Sequence, residues 1–302
     1  MLPLDRLQAA FGRRLREQQP LARYTSARIG GRADALVEVN SQTELAEAAQ
    51  TLWDLDLQFT VLGGGSNILV SDVGVREVVI LNQAAKVQFA EKGSLSVWAE
   101  SGAGLGALAR QAAARGLGGL EWAAGIPGTL GGAVVGNAGA HGSDLSTVLD
   151  MAEILHRTQG RKEWSAADLA YGYRQSWFKD HPGEAVVLGS RLKLAEKPAS
   201  EIRAQMDAFL AYRRLTQPPG ASMGSMFKNP PGESAGHLIE AAGLKGKRIG
   251  SAQISPLHAN FFLNLGEARA TDVYGLIQEA RQAVRDQAGI DLELEIGLVG
   301  EW

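Results

Sequence analysis

The stretch Gly125-Ile-Pro-Gly-Thr-Leu-Gly-Gly-Ala-Val-Val-Gly-Asn-Ala-Gly-Ala-His-Gly142 carries seven glycines, one proline and one Asn, and no Lys, Arg, Asp or Glu. Glycine lets a backbone take positive φ or approach a ligand closely. A run this dense raises the entropy lost on folding, so it points to a specific demand on the backbone. Two demands fit. Successive N–H groups in such turns form a concave site for phosphate or pyrophosphate. Alternatively, the run is a tightly packed glycine corner between strands.

A second glycine turn, Gly63-Gly-Gly-Ser-Asn67, follows the strand-like Phe59–Leu62. It can cradle a pyrophosphate with its N–H groups, with Ser66 and Asn67 adding hydrogen bonds, or it is a plain β-turn. Two such loops favour a long ligand such as a dinucleotide. Outward from them, strands are predicted over 34–39, 78–81, 95–99, 148–156, 186–194 and 292–299. Ser41 and Glu44 form a capping box for a helix to Asp54. Helices are predicted over 106–115, 234–242 and 271–287, and a short one within 1–23. Another runs from Ser200, as its cap, to Arg214, ended by Pro218 and Pro219. Strands alternating with helices argue α/β or α+β, with a domain boundary near 196–200.

Gly102-Ala-Gly-Leu-Gly-Ala107, with Glu121 downstream, matches a dinucleotide-binding fingerprint. Several strands and a helix precede it and the glycine run follows it, so a Rossmann site ranks well below the other reading. No P-loop and no G-x-S-x-G elbow is present.

The 302 residues suffice for about two domains. Net charge is -3 with no block of like charge, which argues against a nucleic-acid partner. There is no cysteine, which excludes disulfides, thiolate catalysis and Cys-ligated metals. None of the five histidines has metal-ligand spacing. No apolar run could span a bilayer and no leader is evident; the reading is a cytoplasmic protein.

Three chemical candidates lie further on. Ser225 sits in Ser222-Met-Gly-Ser-Met-Phe-Lys-Asn-Pro230, where Lys228 or a polarising network could help its hydroxyl hand over a proton; a simple ST-turn is the alternative. Arg174 lies among the four aromatic rings of 171–178, where its fork suits a carboxylate or stacks on a ring. Glu293 and Glu295 alternate with Leu292, Leu294 and Ile296, which predicts a half-buried strand with both carboxylates on one face.

Taken in order, these segments closely resemble the UDP-N-acetylenolpyruvoylglucosamine reductase family over nearly the whole chain. The matching pieces are Gly30-Gly31 with Ala33, 62–67, 125–132, 137–142, Tyr173-Arg174-x-Ser176, 224–230 and 292–296. The resemblance implies an α+β chain with α/β elements. Residues 1–195 would form a two-subdomain FAD-binding module of the vanillyl-alcohol-oxidase type, split near 85. Residues 196–302 would form an α+β substrate domain. It implies bound FAD, NADPH as co-substrate, and UDP-N-acetylglucosamine enolpyruvate as a small-molecule substrate reduced to UDP-N-acetylmuramate. By the same resemblance, the cofactor lies on Leu62, Gly63, Gly64, Gly65, Ser66, Asn67 and Ile68, on Gly125, Ile126, Pro127, Gly128, Thr129, Gly131 and Gly132, and on Asn137, Ala138 and Gly139. Ser225 corresponds to the acid that protonates C2 of the substrate. Arg174 and Glu295 correspond to the residues that bind and polarise its carboxylate, and Asn229 to a contact with the sugar nucleotide.

The chain departs from the family pattern in places. Tyr24 replaces an Asn, Val135-Gly136 replace bulkier residues, and the short stretch between Trp177 and Ser190 lacks a tyrosine-bearing insertion. That marks the shorter subclass. Gln217, Arg213 and Arg214 are then the candidates for the sugar diphosphate, and Lys228 is a further substrate-binding candidate. The expected form is a monomer or weak oligomer. Two readings compete with this one: another FAD oxidoreductase on the same scaffold, and a non-catalytic flavin- or sugar-nucleotide-binding subunit.

Overall fold

The computed structural model describes residues 2–91 and 93–302. The chain packs into two interleaved units. One comprises Met1–Glu17, Ala35–Gly64 and Glu77–Tyr212; the other comprises Gln18–Asp34, Gly65–Arg76 and Arg213–Trp302. The sequence reading divides the chain into domains at 195/196, with a subdomain split near 85; by packing, the helix Ala199–Thr216 stays with the first unit as far as Tyr212.

Most of a four-stranded sheet belongs to the first unit, in the order Leu15–Pro20, Arg32–Val39, Val75–Asn82, Phe59–Leu62. The last two strands run parallel, Phe59 opposite Val78 and Leu62 opposite Leu81. Leu45, Leu52 and Trp53 of helix Gln42–Asp54 share a core with Val78 and Ile80. Ser41 caps this helix as predicted, accepting from the Glu44 N–H at 3.2 Å. The Glu44 carboxylate reaches back one residue further than the usual box, to the Asn40 N–H at 2.8 Å.

The unit also holds a five-stranded antiparallel sheet in the order Gly160–Trp164, Leu149–His156, Ala185–Lys193, Ser96–Glu100, Val87–Phe89. Helices Leu105–Ala113 and Leu130–Gly136 share a core with it, through Leu108, Leu130, Val134, Ala152 and Leu192.

In the second unit, strands Ala221–Ser225, Phe261–Asn264, Ala252–Ile254 and Arg248–Ile249 form an antiparallel sheet. Helices Ala235–Ala241 and Ala270–Ala288 share a core with it, around Phe227, Phe262, Leu276 and Ile277. The final strand, Gly297–Val299, pairs in parallel with Ile68–Val70.

The short helix expected within 1–23 is Leu4–Phe11; after it, Leu15–Pro20 is a strand whose Arg16 pairs with Glu38 at 2.6 Å. Two other expectations need correction. Ser200 lies inside its helix rather than capping it; the Pro198 carbonyl accepts the first N–H groups, from Glu201 and Ile202. The predicted strand 292–299 is regular only from Gly297. Before that it makes single main-chain contacts, and Glu293 is exposed while Glu295 is half-buried.

Candidate active site

The glycine run is not loop throughout. Thr129 caps a helix, Leu130–Gly136, and Asn137 ends it in the left-handed region at φ 41°. The N–H groups of Leu130 and Gly131 donate inside the chain, to the carbonyls of Ala103 and Ser101 at 2.8 and 2.7 Å. Several of these glycines answer to crowding inside the protein. A Cβ on Gly63 would lie 2.5 Å from the Thr129 hydroxyl, one on Gly64 3.0 Å from the Gly128 Cα, and one on Gly131 2.8 Å from the Ser101 Cβ. At these positions the two glycine loops of this unit are pressed together.

Gly132 and Gly136 are different. A Cβ on Gly132 would meet nothing closer than 3.7 Å, and one on Gly136 nothing within 4 Å. Both lie in a helix, where glycine is destabilising by roughly 0.5–1 kcal/mol relative to alanine. Neither packing nor backbone conformation demands glycine there. Together they leave part of the helix's backbone face bare.

The rival fingerprint at 102–107 is occupied by this same packing. Gly104 bridges Thr129, and the Leu105 N–H at the start of its helix donates to the Gly128 carbonyl at 3.1 Å. Glu121, the would-be ribose acceptor, accepts instead from the Gly119 N–H at 2.6 Å and the Lys197 ammonium at 3.1 Å. Burial pushes its pKa up, but those hydrogen bonds and the Lys197 charge outweigh burial and hold it below the ordinary carboxylate value. A recess of about 340 Å³ opens beside Glu121, Trp122, His141 and Phe209; none of the residues assigned to catalysis, cofactor or substrate lines it.

Arg174 sits at the tip of a tight turn closed by mutual main-chain hydrogen bonds between Gly172 and Gln175, both 3.2 Å. Its own φ is 55°, uncommon for a residue with a side chain. Its guanidinium lies 5.6 Å from the Tyr173 ring centroid and donates to the carbonyls of Gly139 at 2.7 Å and Asn137 at 3.4 Å. Of the two sequence readings of Arg174, the ring contact is present; the residue is half-buried and its fork lies on carbonyls of the glycine run. Two neighbours that sequence reasoning left without a role hold the helix end itself. The Tyr171 hydroxyl donates to Val134 O at 3.0 Å, and the Ser176 hydroxyl to Val135 O at 2.6 Å.

In the second unit, Gly224 takes φ 79° in a register irregularity between Ser222 and Ser225, the last residue of its strand. The residues after it are fixed from two sides. Asn260 accepts from the Phe227 N–H at 2.9 Å and donates to the Phe227 carbonyl at 2.8 Å. The Glu295 N–H donates to Met226 O and the Lys228 N–H to Glu293 O, both at 2.9 Å. Ser225 and Glu295 therefore belong to adjacent main-chain segments. Lys228 forms an ion pair with Glu293, and the Asn229 side-chain oxygen accepts from the Ala235 N–H at 3.1 Å, at the start of a helix. Asn67 donates to the Glu295 carbonyl at 3.0 Å. A Cβ on Gly65 would fall 2.0 Å from the Tyr24 carbonyl oxygen. Arg213 and Arg214 end the helix Ala199–Thr216, and the Gln217 N–H donates to Arg213 O at 2.8 Å. Burial pushes the Arg213 pKa down.

By unit, Leu62, Gly63, Gly64, the chosen residues of 125–139 and Arg174 belong to the first. Gly65 to Ile68, Arg213, Arg214, Gln217, Ser225, Lys228, Asn229 and Glu295 belong to the second. Among the described residues there is no cluster of side chains that could hold a metal ion, and no helix is long and apolar enough to cross a membrane.

Residues 33–161 match the family model described as an FAD binding domain, which makes the class of protein a flavin-dependent oxidoreductase built on a mixed α+β fold. Residues 215–299 match a second model, UDP-N-acetylenolpyruvoylglucosamine reductase, C-terminal domain. Curated reductases of that name are similar along their length: that of Chloroflexus aurantiacus is 44% identical, covering 93% of this chain and 96% of its own. That of Bacillus subtilis is 41% identical, covering 93% of each chain. A crystal structure of the reductase from Thermus caldophilus superposes with TM-score 0.80 at 38% identity, covering 94% of this chain and 99% of that one. The chain belongs to the UDP-N-acetylenolpyruvoylglucosamine reductase family.

Proposed function

We propose that the protein reduces the enolpyruvyl group of UDP-N-acetylglucosamine enolpyruvate with NADPH, giving UDP-N-acetylmuramate for peptidoglycan precursor synthesis. The observation that carries this is the end-to-end match: an FAD-binding model and the reductase C-terminal model fall in order on one chain. FAD fits the residues present, because Gly132 and Gly136 leave bare a helical backbone face that no protein neighbour fills. Bound on the two glycine segments, FAD supplies a hydride carrier between NADPH and C3 of the enolpyruvyl group.

The chain's own residues do the rest. Hydride addition at C3 places negative charge on C2 and its carboxylate. Arg174 offers a fixed cation at that carboxylate, preorganised by its bonds to the glycine run. Glu295 assists in orienting and polarising the same group. Ser225, next to the positive-φ Gly224, gives its proton to C2. Lys228, held by Glu293, keeps a positive charge on the loop that carries Ser225. Arg213, Arg214 and Gln217 supply the cationic and amide donors that a sugar diphosphate needs. The Asn229 oxygen already caps a helix, so a donor role toward the sugar nucleotide falls to its Nδ2.

The test separates the two half-reactions. In Ser225→Ala, NADPH should bleach the flavin at the wild-type rate, while reoxidation by the enolpyruvyl substrate should collapse. Equal loss in both halves would remove Ser225 from the role of acid.

A further inference from the structure

The helix Leu130–Gly136 ends with carbonyls that no later turn of helix can satisfy. Three side chains from the six-residue segment 171–176 take them and the carbonyls just beyond. Tyr171 bonds Val134 O and Ser176 bonds Val135 O, on consecutive residues; Arg174, between them in sequence, reaches past the helix end to Asn137 O and Gly139 O. The contact is reciprocated, since the Asn137 amide donates to Gly172 O at 3.0 Å. Ser176 is fully buried. Burial, helped by the negative charge of Asp144, pushes the Tyr171 pKa well above its ordinary value, so its hydroxyl remains a donor across the working pH range.

Arg174 also has a backbone that needs holding. A non-glycine residue at φ 55° persists where its surroundings over-determine it. Here the surroundings are the two hydroxyl clamps on either side and the closed Gly172–Gln175 turn between them. We infer that Tyr171 and Ser176 are positioning residues for the reductive step: by fastening both ends of the Arg174 turn to the helix that follows the glycine loop, they set where the guanidinium stands. This rests on the reading of Arg174 as the residue that meets the substrate carboxylate. Neither hydroxyl touches substrate; each acts through Arg174.

The test is a double-mutant cycle on the intact holoenzyme, read as half-reactions. Tyr171→Phe keeps the ring and removes one hydrogen bond, so it should lower kcat and the single-turnover rate of reoxidation by about tenfold. KM and flavin reduction by NADPH should stay within about twofold, and the melting temperature of the apoprotein should hardly move. Ser176→Ala should behave alike. On an Arg174→Lys background, which is itself slowed, adding Tyr171→Phe should change the rate by less than about twofold, because the clamp then has no guanidinium to position. Multiplicative losses would show that Tyr171 acts independently and would overturn the inference. So would equal slowing of both half-reactions, or a fall in FAD retention matching the fall in rate, either of which marks general damage to the helix. If Arg174→Lys slows reoxidation while Tyr171→Phe and Ser176→Ala do not, the inference alone fails. If Arg174→Lys leaves reoxidation unchanged, the role of Arg174 fails and the inference falls with it.

Discussion

The side-chain amide of Asn67 donates to the main-chain carbonyl of Glu295 at 3.0 Å, and the carbonyl of Asn67 accepts from the Gly297 N–H at 2.9 Å. The end of the glycine turn 63–67 is thereby tied to the segment that carries a candidate carboxylate. The tie continues into the parallel pairing of Gly297 with Ile68. Asn67→Ala removes one of these bonds, and a net loss of about 1 kcal/mol in stability is expected. Urea unfolding at pH 7 measures it. The same variant should slow reoxidation by the enolpyruvyl substrate more than flavin reduction by NADPH, because Glu295 loses a support. Slowing confined to flavin reduction would contradict this.

Two glycines should respond in opposite ways. Gly132→Ala meets nothing closer than the Thr129 hydroxyl at 3.7 Å, so the apoprotein should gain about 0.5–1 kcal/mol from better helix propensity. Its FAD affinity should fall by about tenfold or more, or about 1.4 kcal/mol. Gly65→Ala forces a Cβ against the Tyr24 carbonyl at a φ of 55°, and should destabilise the apoprotein by more than about 2 kcal/mol. Apoprotein melting curves with an FAD titration separate the two. Unchanged FAD affinity in Gly132→Ala would remove the argument that its face is kept bare for the cofactor.

Asp72 holds the start of the helix Ala270–Ala288, accepting from the Ala270 N–H at 2.8 Å and the Thr271 N–H at 2.9 Å. Burial pushes its pKa up, but the hydrogen bonds from Thr271 and Ala270 and the charge of Arg269 outweigh burial, and the net shift is downward. A carboxyl with a depressed folded pKa stabilises the protein fully above its unfolded value, near 3.9. That stability is lost as pH falls through the lower folded value. Asp72→Asn should therefore cost about 1 kcal/mol at pH 7, with part of the charge effect screened by solvent. The gap to the unmodified protein should narrow below about pH 4. Urea midpoints of both proteins between pH 7 and pH 3 test this, and a gap independent of pH would contradict it.

What the sequence disclosed and what it hid divide along a physical line. The helix Gln42–Asp54 was legible because its signal is local: Ser41 and Glu44 lie three residues apart and cap it. The long helix Ala270–Ala288 was equally legible from its apolar periodicity. The helix Leu130–Gly136 was not, because three of its seven residues are glycines, the mark of a loop; Thr129 as cap was the only local sign. The strand Leu15–Pro20 was hidden by its polar sequence, which suits an edge and carries no apolar alternation. Of the candidate site, residue types and order could be read, including Ser225, Arg174 and Glu295. Their supports could not. Asn260 reaches Phe227 across 33 residues, Tyr171 reaches Val134 across 37 and Asn67 reaches Glu295 across 228, and no local pattern announces such pairs.

The central claim is tested most directly by following the visible flavin spectrum anaerobically while NADPH, and then UDP-N-acetylglucosamine enolpyruvate, is added. The account predicts bleaching on the first addition and full recovery on the second, with UDP-N-acetylmuramate formed in equal amount. Bleaching that the enolpyruvyl sugar nucleotide does not reverse would contradict it, and would leave a flavin reductase with a different acceptor.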